Sequence, residues 1–291
     1  MKDSGRFDSK VARIQDFAYR EPPCRMPFPP AASEHRMTGH LQVSDNDATR
    51  VITMRRPEKK NAITRDMYRA MSDAIESAQN DPAIRCIVIT GDSGMFTAGN
   101  DLDDFLKDGT SGDEDVAPAA SDAVKFLYAL ARNAKPLIAA VEGIAIGIGA
   151  TMLFHCDYVL AANSATFSTP FIHLGLVPEG ASSLLAPRSI GYQRAFAMLV
   201  MGRTLSANEA RESGFVNAVV AAGEAGAEAE KVAREICALP AEAVALSRKL
   251  LKTPPEELTR RIDLESRLFS ERLRSEEAIA AFEAFFARKK R

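Results

Sequence analysis

The sequence predicts an α/β core followed by a helical C-terminal region, and three observations carry that reading. Short, β-branched apolar runs alternate with amphipathic segments of helical period through the first half of the chain. Glycine-rich turns directly follow two of those runs. Past Ser182 the pattern is almost wholly helical. With 291 residues, 46% of them apolar, the chain suits one large domain or two small ones and has ample material for a core.

Taken in order, residues 1–37 combine a proline cluster (Pro22, Pro23, Pro27, Pro29, Pro30) with charged side chains and lack the apolar segment of a secretory signal, so an irregular arm is expected. The α/β core is expected over 38–220. RVITM at 50–54 reads as a strand and PEKKN at 57–61 as a turn. Thr64 suits the N-cap of a helix with Met67, Ala70, Met71, Ala74, Ile75 and Ala78 on one face, stopped by Asn80-Asp81-Pro82. IRCIVIT at 84–90 has the continuous apolar character of a strand buried on both faces. An acidic, Gly/Ser-rich segment at 107–115 reads as a surface loop. A helix is expected at 121–133, strands at 137–141 and 157–161, and helices at 192–201, 208–213, 228–238, 241–252 and 255–288. The last of these fall in a helical C-terminal region spanning 221–291.

Several function classes are disfavoured at once. Thirty-seven basic against 39 acidic side chains, net −2, leave no electrostatic footprint for nucleic acid. Cys24, Cys86, Cys156 and Cys237 lie far apart, and neither they nor the four histidines show a metal-ligand spacing. Reduced thiols and a cytoplasmic location are expected. The apolar stretch 137–154 carries Glu142 and three glycines, and reads as strand, turn and helix start rather than as a membrane span.

Two glycine loops hold the chemical interest. The first, GDSGMFTAGNDL at 91–102, and the second, EGIAIGIGA at 142–150, each follow a buried strand. Small residues let backbone N–H groups approach a ligand, and two such groups can hold a developing oxyanion. On composition alone, close helix–strand packing explains both loops more simply. Neither matches a phosphate-binding P-loop or a dinucleotide fingerprint.

Read together, RPEKKNAI (56–63), IRCIVITGDSGMFTAGNDL (84–102), KPLIAAVEGIAIGIGATMLFHCDYVLA (135–161), TFSTPFIHLGLVPEGASSLL (166–185) and MGRTLSANEARESGFVNAVV (201–220) resemble the crotonase, or enoyl-CoA hydratase/isomerase, superfamily. The resemblance runs over about 40–290. It implies a crotonase-like core of repeated ββα units, acyl-CoA thioester substrates, and a homotrimer or dimer of trimers built through the C-terminal helices. It implies no metal or redox cofactor, since CoA enters as part of the substrate, and no nucleic-acid or membrane partner. It also places the oxyanion hole on the backbone N–H groups of Asn100 and Ile148.

The carboxylates bear on the reaction. Hydratases of this superfamily use two glutamates, and the corresponding positions here look like Thr151 and Phe171. Glu179, within LVPEG, remains. As a lone residue it reads as an exposed turn carboxylate; within TPFIHLGLVPEG it resembles the catalytic base of 3-enoyl-CoA to 2-enoyl-CoA isomerases. The implied activity is isomerisation of 3-enoyl-CoA to trans-2-enoyl-CoA in the breakdown of unsaturated fatty acids. Alternatives within the superfamily are a hydratase, a thioesterase or a decarboxylase, and outside catalysis a silent acyl-CoA binder.

Other residues receive expectations by the same resemblance. Lys59 and Lys60 sit where the CoA 3′-phosphoadenosine end binds, although surface lysines are usually just solvated. Ala62 and Ala98 are positioned to meet CoA through backbone. Phe96, Leu102, Phe105, Phe126 and Phe171 are candidate acyl-pocket walls, with core packing as the default. Gly99, Asp101 and Gly147 complete the two loops, Asp101 by residue type being a helix cap. His155 reads as packing, and His173 as packing or pocket lining.

Overall fold

The computed structural model describes residues 36–101 and 121–289, the side chains of 36–38 and 288–289 excepted. The expectations for the N-terminal arm, the segment 107–115, Leu102 and Phe105 therefore lie outside the described residues. Among the described residues seven strands form the main sheet: β1 (Arg36–Thr38), β2 (Leu41–Asn46), β3 (Thr49–Met54), β4 (Cys86–Gly91), β5 (Leu137–Val141), β7 (Tyr158–Ala162) and β10 (Ala218–Val220). They lie in the order β1-β2-β3-β4-β5-β7-β10. The first three strands form antiparallel pairs, and β3, β4, β5, β7 and β10 run parallel.

The parallel strands read as unbroken apolar runs because both faces are covered. Ile52, Ile87, Ile89, Leu137, Ala139, Val141, Val159 and Ala161 enter the larger core. Their alternates Val51, Val88, Ile138, Ala140 and Leu160 enter a second core on the opposite face. This is strand periodicity sorting one sequence between two layers. The first face is covered by α1 (Arg65–Asn80) and α2 (Asp122–Arg132), which pack on each other. Thr64 caps α1 by accepting from Met67 N–H at 3.3 Å, and Ser121 caps α2 by accepting from Val124 N–H at 3.2 Å. The second face is covered by α7 (Ala225–Ala238) through Ala225, Ala229, Val232 and Ala233. Although α7 follows residue 220, it is an integral layer of the core.

A small second sheet, β6 (Ile144–Ile146), β8 (Thr166–Ser168) and β9 (Leu205–Ser206), grows out of the second glycine loop. These strands of two or three residues are too short to show a period, and the sequence reading passes over them. The helix expected after that loop is a single turn, α3 (Ile148–Thr151), tightening into a 3-10 segment at Met152–His155. Next come α4 (Ser182–Ile190), α5 (Tyr192–Leu199) and α6 (Ala207–Glu212), the last opened by a Ser206/Glu209 capping box.

The C-terminal end corrects one expectation. The helix predicted over 255–288 is two helices, α9 (Pro255–Leu273) and α10 (Glu276–Lys289), preceded by α8 (Ala241–Leu251). The break falls at Ser275, whose hydroxyl accepts from Ala278 N–H at 3.2 Å and so starts a new helix, with Glu276 and Glu277 in its first turn. No helix among the described residues is long and apolar enough to cross a membrane.

Candidate active site

The two glycine loops are joined by main-chain hydrogen bonds. Phe96 N–H donates to Glu142 C=O at 2.7 Å, Thr97 N–H to Ile144 C=O at 3.0 Å, and Ile146 N–H to Thr97 C=O at 3.1 Å. Their approach depends on glycine. Gly99 has φ +88°, and a Cβ there would lie 2.6 Å from the Ile146 carbonyl oxygen. A Cβ on Gly149 would lie 2.5 Å from Thr97 Cγ2. Both positions require a residue without a side chain.

Asn100 and Ile148, one on each loop, are among the residues whose N–H groups this stitching leaves without a backbone acceptor. On the first loop, Gly99 C=O accepts from Ile63 N–H at 2.8 Å and Asp101 N–H donates to Ile63 C=O at 2.9 Å, fixing the chain on either side of Asn100. On the second, Gly147 N–H donates to Ser168 C=O at 2.9 Å, while Ile148 opens α3, where N–H groups lack intrahelical acceptors. Among the described residues neither Asn100 N–H nor Ile148 N–H has a backbone acceptor. Tyr68 Oη donates to Asn100 Oδ1, which holds that side chain aside, and the Tyr68 ring packs 5.6 Å from Phe126.

Glu179 lies on the loop between the 3-10 turn at Pro170–Leu174 and α4. Thr151 Oγ1, three residues beyond Ile148, donates to Glu179 Oε1. Thr151 thus turns a hydroxyl toward Glu179 from the position that the resemblance matches to a hydratase carboxylate. Glu179 is partly accessible, yet protein surrounds most of it. Burial pushes its carboxyl up to about 8, the Glu265 charge adds to the rise, and the Thr151 hydrogen bond opposes it. A carboxyl so tuned exchanges a proton near neutral pH. The Tyr68 phenol is pushed well above its ordinary value, by burial first and by Glu179 second, which places Tyr68 within the same electrostatic environment.

The remaining sequence expectations divide. Gly147, φ +58°, lies under Phe171, whose Cε1 would be 3.6 Å from a Cβ there. Phe171 is buried with Leu176, Ala278 and Phe282, so α10 closes over this corner. Lys59 and Lys60 are exposed beside the first loop. Two candidate pocket walls take the default of core packing. Phe96 is fully buried in the main core and lines no open wall. The N–H groups of Ala62 and Ala98 donate to the Lys59 and Lys60 carbonyls at 3.0 and 2.9 Å, so a backbone contact with CoA would fall to their carbonyl oxygens, that of Ala62 already accepting from Arg56 Nη1 at 3.1 Å. Asp101 is buried in an ion pair with Arg56, and the segment it would cap lies outside the described residues. Phe126 likewise belongs to the core.

His155 is fully buried, its Nε2 2.7 Å from the Gly180 carbonyl. Burial pushes its pKa down to about 4, so the ring is neutral and Nε2–H is the donor. His173 packs against Gly202, where a Cβ would fall 2.4 Å from its Nε2. Sequence reasoning missed Tyr68, the hydroxyl role of Thr151, and Glu265. For Tyr68 the signal was a phenol on an apolar helix face, which needs a hydrogen-bond partner when buried.

Comparison with known proteins places this arrangement. The family model described as enoyl-CoA hydratase/isomerase matches residues 44–291. Enoyl-CoA delta isomerase 2 of Rattus norvegicus is 35% identical over 252 residues, covering 86% of this chain and 64% of the relative. The chain thus spans less than two thirds of that relative's length. An enoyl-CoA hydratase of Mycobacterium tuberculosis, EchA19, is 37% identical over 226 residues, covering 74% of this chain and 82% of the relative. The solved structure of Pseudomonas aeruginosa OdaA superposes with a TM-score of 0.80 at 40% identity, covering 85% of this chain and 99% of that one.

Proposed function

The chain belongs to the enoyl-CoA hydratase/isomerase family, and within it we propose that this protein moves the double bond of a 3-enoyl-CoA into conjugation, giving trans-2-enoyl-CoA. The observation that carries the reading is a single carboxylate, Glu179, hydrogen-bonded to Thr151 one turn from the oxyanion-type N–H of Ile148. The delta isomerase relative supports the choice of reaction.

In this mechanism the thioester oxygen sits between Asn100 N–H and Ile148 N–H, which lowers the cost of enolate formation at C2. Glu179 as carboxylate takes a C2 proton. The electron pair delocalises over C2, C3, C4 and the thioester oxygen as a dienolate. The carboxylic acid then returns the same proton to C4, the C3–C4 double bond becomes C2–C3, and atoms balance without water. Each N–H donor contributes on the order of 3 kcal/mol to the transition state. A carboxyl pushed up to about 8 is well matched to both steps, a base first and an acid second.

The hydratase reading would need a second carboxylate, and Thr151 and Phe171 do not supply one. The proposal also carries a homotrimer or pair of trimers, supported by the exposed Leu246, Leu250 and Leu251 on α8, which suit burial against another copy. Mixing purified protein with a medium-chain trans-3-enoyl-CoA and following ultraviolet absorbance tests the reaction. A rise from the conjugated thioester without 3-hydroxyacyl product is expected. Binding without a rise overturns the isomerase reading, and a hydroxyacyl product replaces it with hydration.

A further inference from the structure

We propose that Glu265 on α9 is a positioning residue for Glu179, clamping the turn that aims the catalytic carboxylate; the inference rests on the isomerase reading above. The turn has an unfavourable backbone. Gly180 and Ala181 have φ of +71° and +56°, and the second is a left-handed alanine, a conformation that costs about 1–2 kcal/mol for a residue with a side chain. Ala181 is also the N-cap position of α4 and offers no side-chain cap.

Glu265 supplies what that turn lacks from 84 residues away. It is 4% exposed. Its Oε2 accepts from Ala181 N–H at 2.6 Å, and its Oε1 accepts from Ser183 N–H at 3.0 Å and from the Ser183 hydroxyl. Arg261, one turn earlier on α9, donates to Ser183 Oγ at 3.2 Å. From the opposite side His155 Nε2–H holds the Gly180 carbonyl. The turn after Glu179 is therefore gripped at the Ala181 and Ser183 N–H groups on one side and at the Gly180 carbonyl on the other. An ionised acceptor makes such hydrogen bonds strong.

The clamp also touches the chemistry through charge. A carboxylate buried near Glu179 opposes its ionisation. The titratable and charged groups around the pair are Tyr68 on α1, the neutral His155 and Arg261 on α9. Reach and charge can be separated by substitution. Glu265→Gln keeps the length but cannot accept with both ends and removes the charge. Glu265→Asp keeps the charge but falls short by one methylene.

The test compares kcat, KM and the pH profile of both variants with wild type, alongside carbon-detected NMR titration of the Glu179 carboxyl without substrate. Glu265→Gln is expected to lose roughly 10- to 100-fold in kcat, the scale of a small misplacement of a reacting group, with KM little changed. The Glu179 titration and the acid limb of kcat/KM should both move to lower pH. Glu265→Asp should lose kcat while leaving the limb in place. A merely structural residue would change the melting temperature and the folded fraction but not the limb. Folded Glu265→Gln with wild-type kcat and an unmoved titration overturns the proposal. Should Glu265→Gln not fold, Ser183→Ala, which removes the hydroxyl's bonds to Glu265 and Arg261 but keeps the charge and both N–H contacts, replaces it: a several-fold loss in kcat supports the clamp, and no loss refutes it. If wild type turns over no 3-enoyl-CoA, the isomerase reading fails, while the titration still decides the clamp.

Discussion

Replacing Glu179 by glutamine should make the protein more stable at alkaline pH while abolishing turnover. The folded protein holds this carboxyl up to about 8, from an ordinary value of 4.5, chiefly because the surroundings penalise the charge. The folded state therefore keeps a proton that the unfolded chain releases, and stability falls as pH rises across that interval. Each pKa step is worth ~1.4 kcal/mol, which sets a ceiling of about 5 kcal/mol. Solvent reaches part of the side chain, and with that screening about 2 kcal/mol is the expected penalty. Glutamine has no charge to desolvate and keeps an oxygen for the Thr151 hydroxyl. Urea unfolding of both proteins at one fixed concentration, from about pH 5 to about pH 9, should show curves that nearly coincide at the acid end and separate until about pH 8. Glu265 titrates in both proteins, so to first order it cancels in the difference. A constant offset across the whole range would refute the argument, because it would mean that Glu179 ionises freely in the folded state.

Thr151→Val removes the hydrogen bond that favours the charged Glu179, so the acid limb of kcat/KM should move to higher pH, opposite in sign to Glu265→Gln; an unmoved limb would remove Thr151 from the site. Gly99→Ala should cost about 2 kcal/mol or more, from its left-handed backbone and the Cβ contact with the Ile146 carbonyl, and should lower kcat by parting the two loops; thermal unfolding and single-turnover rates check both halves. Arg56→Met removes the guanidinium that ion-pairs with buried Asp101 beside Asn100 and should cost about 3 kcal/mol, with much of that recovered in Arg56→Met/Asp101→Asn; strict additivity in the double-mutant cycle would show that the two do not interact.

Local signals made much of this fold legible. The Thr64 cap, the apolar face of α1 and the β-branched run of β4 each sit in a short window, and each takes its expected form. The strands β6, β8 and β9 escaped because two or three residues carry no periodicity and their pairing is long-range. The site divides in the same way. Glycines at 99, 147 and 149 announce close backbone approach, but which loop approaches which is settled by the bonds from Phe96 and Thr97 to Glu142 and Ile144. Ala98 illustrates the limit: its place in the loop suggests a backbone ligand contact, but only the folded chain shows that its N–H is spent on Lys60 and that the carbonyl is what remains to make one.

Glu265 shows what a closer reading would have caught. On α9 the buried stripe runs through Leu258, Ile262, Glu265 and Ser266, so a carboxylate falls where the helical period places an apolar side chain. An ionised group on such a stripe is costly unless paired, and this one is pushed up only to about 7 because Ser183 and Ala181 repay part of its burial with hydrogen bonds. A charge set against the pattern therefore marks a long-range partner that must exist, though not which one. The partner is identifiable only from the other side: a turn with two left-handed residues ahead of an uncapped helix needs an acceptor that its own side chains do not provide. Two local violations, one on α9 and one at the start of α4, resolve each other, and they meet two residues from the carboxylate proposed to carry the reaction.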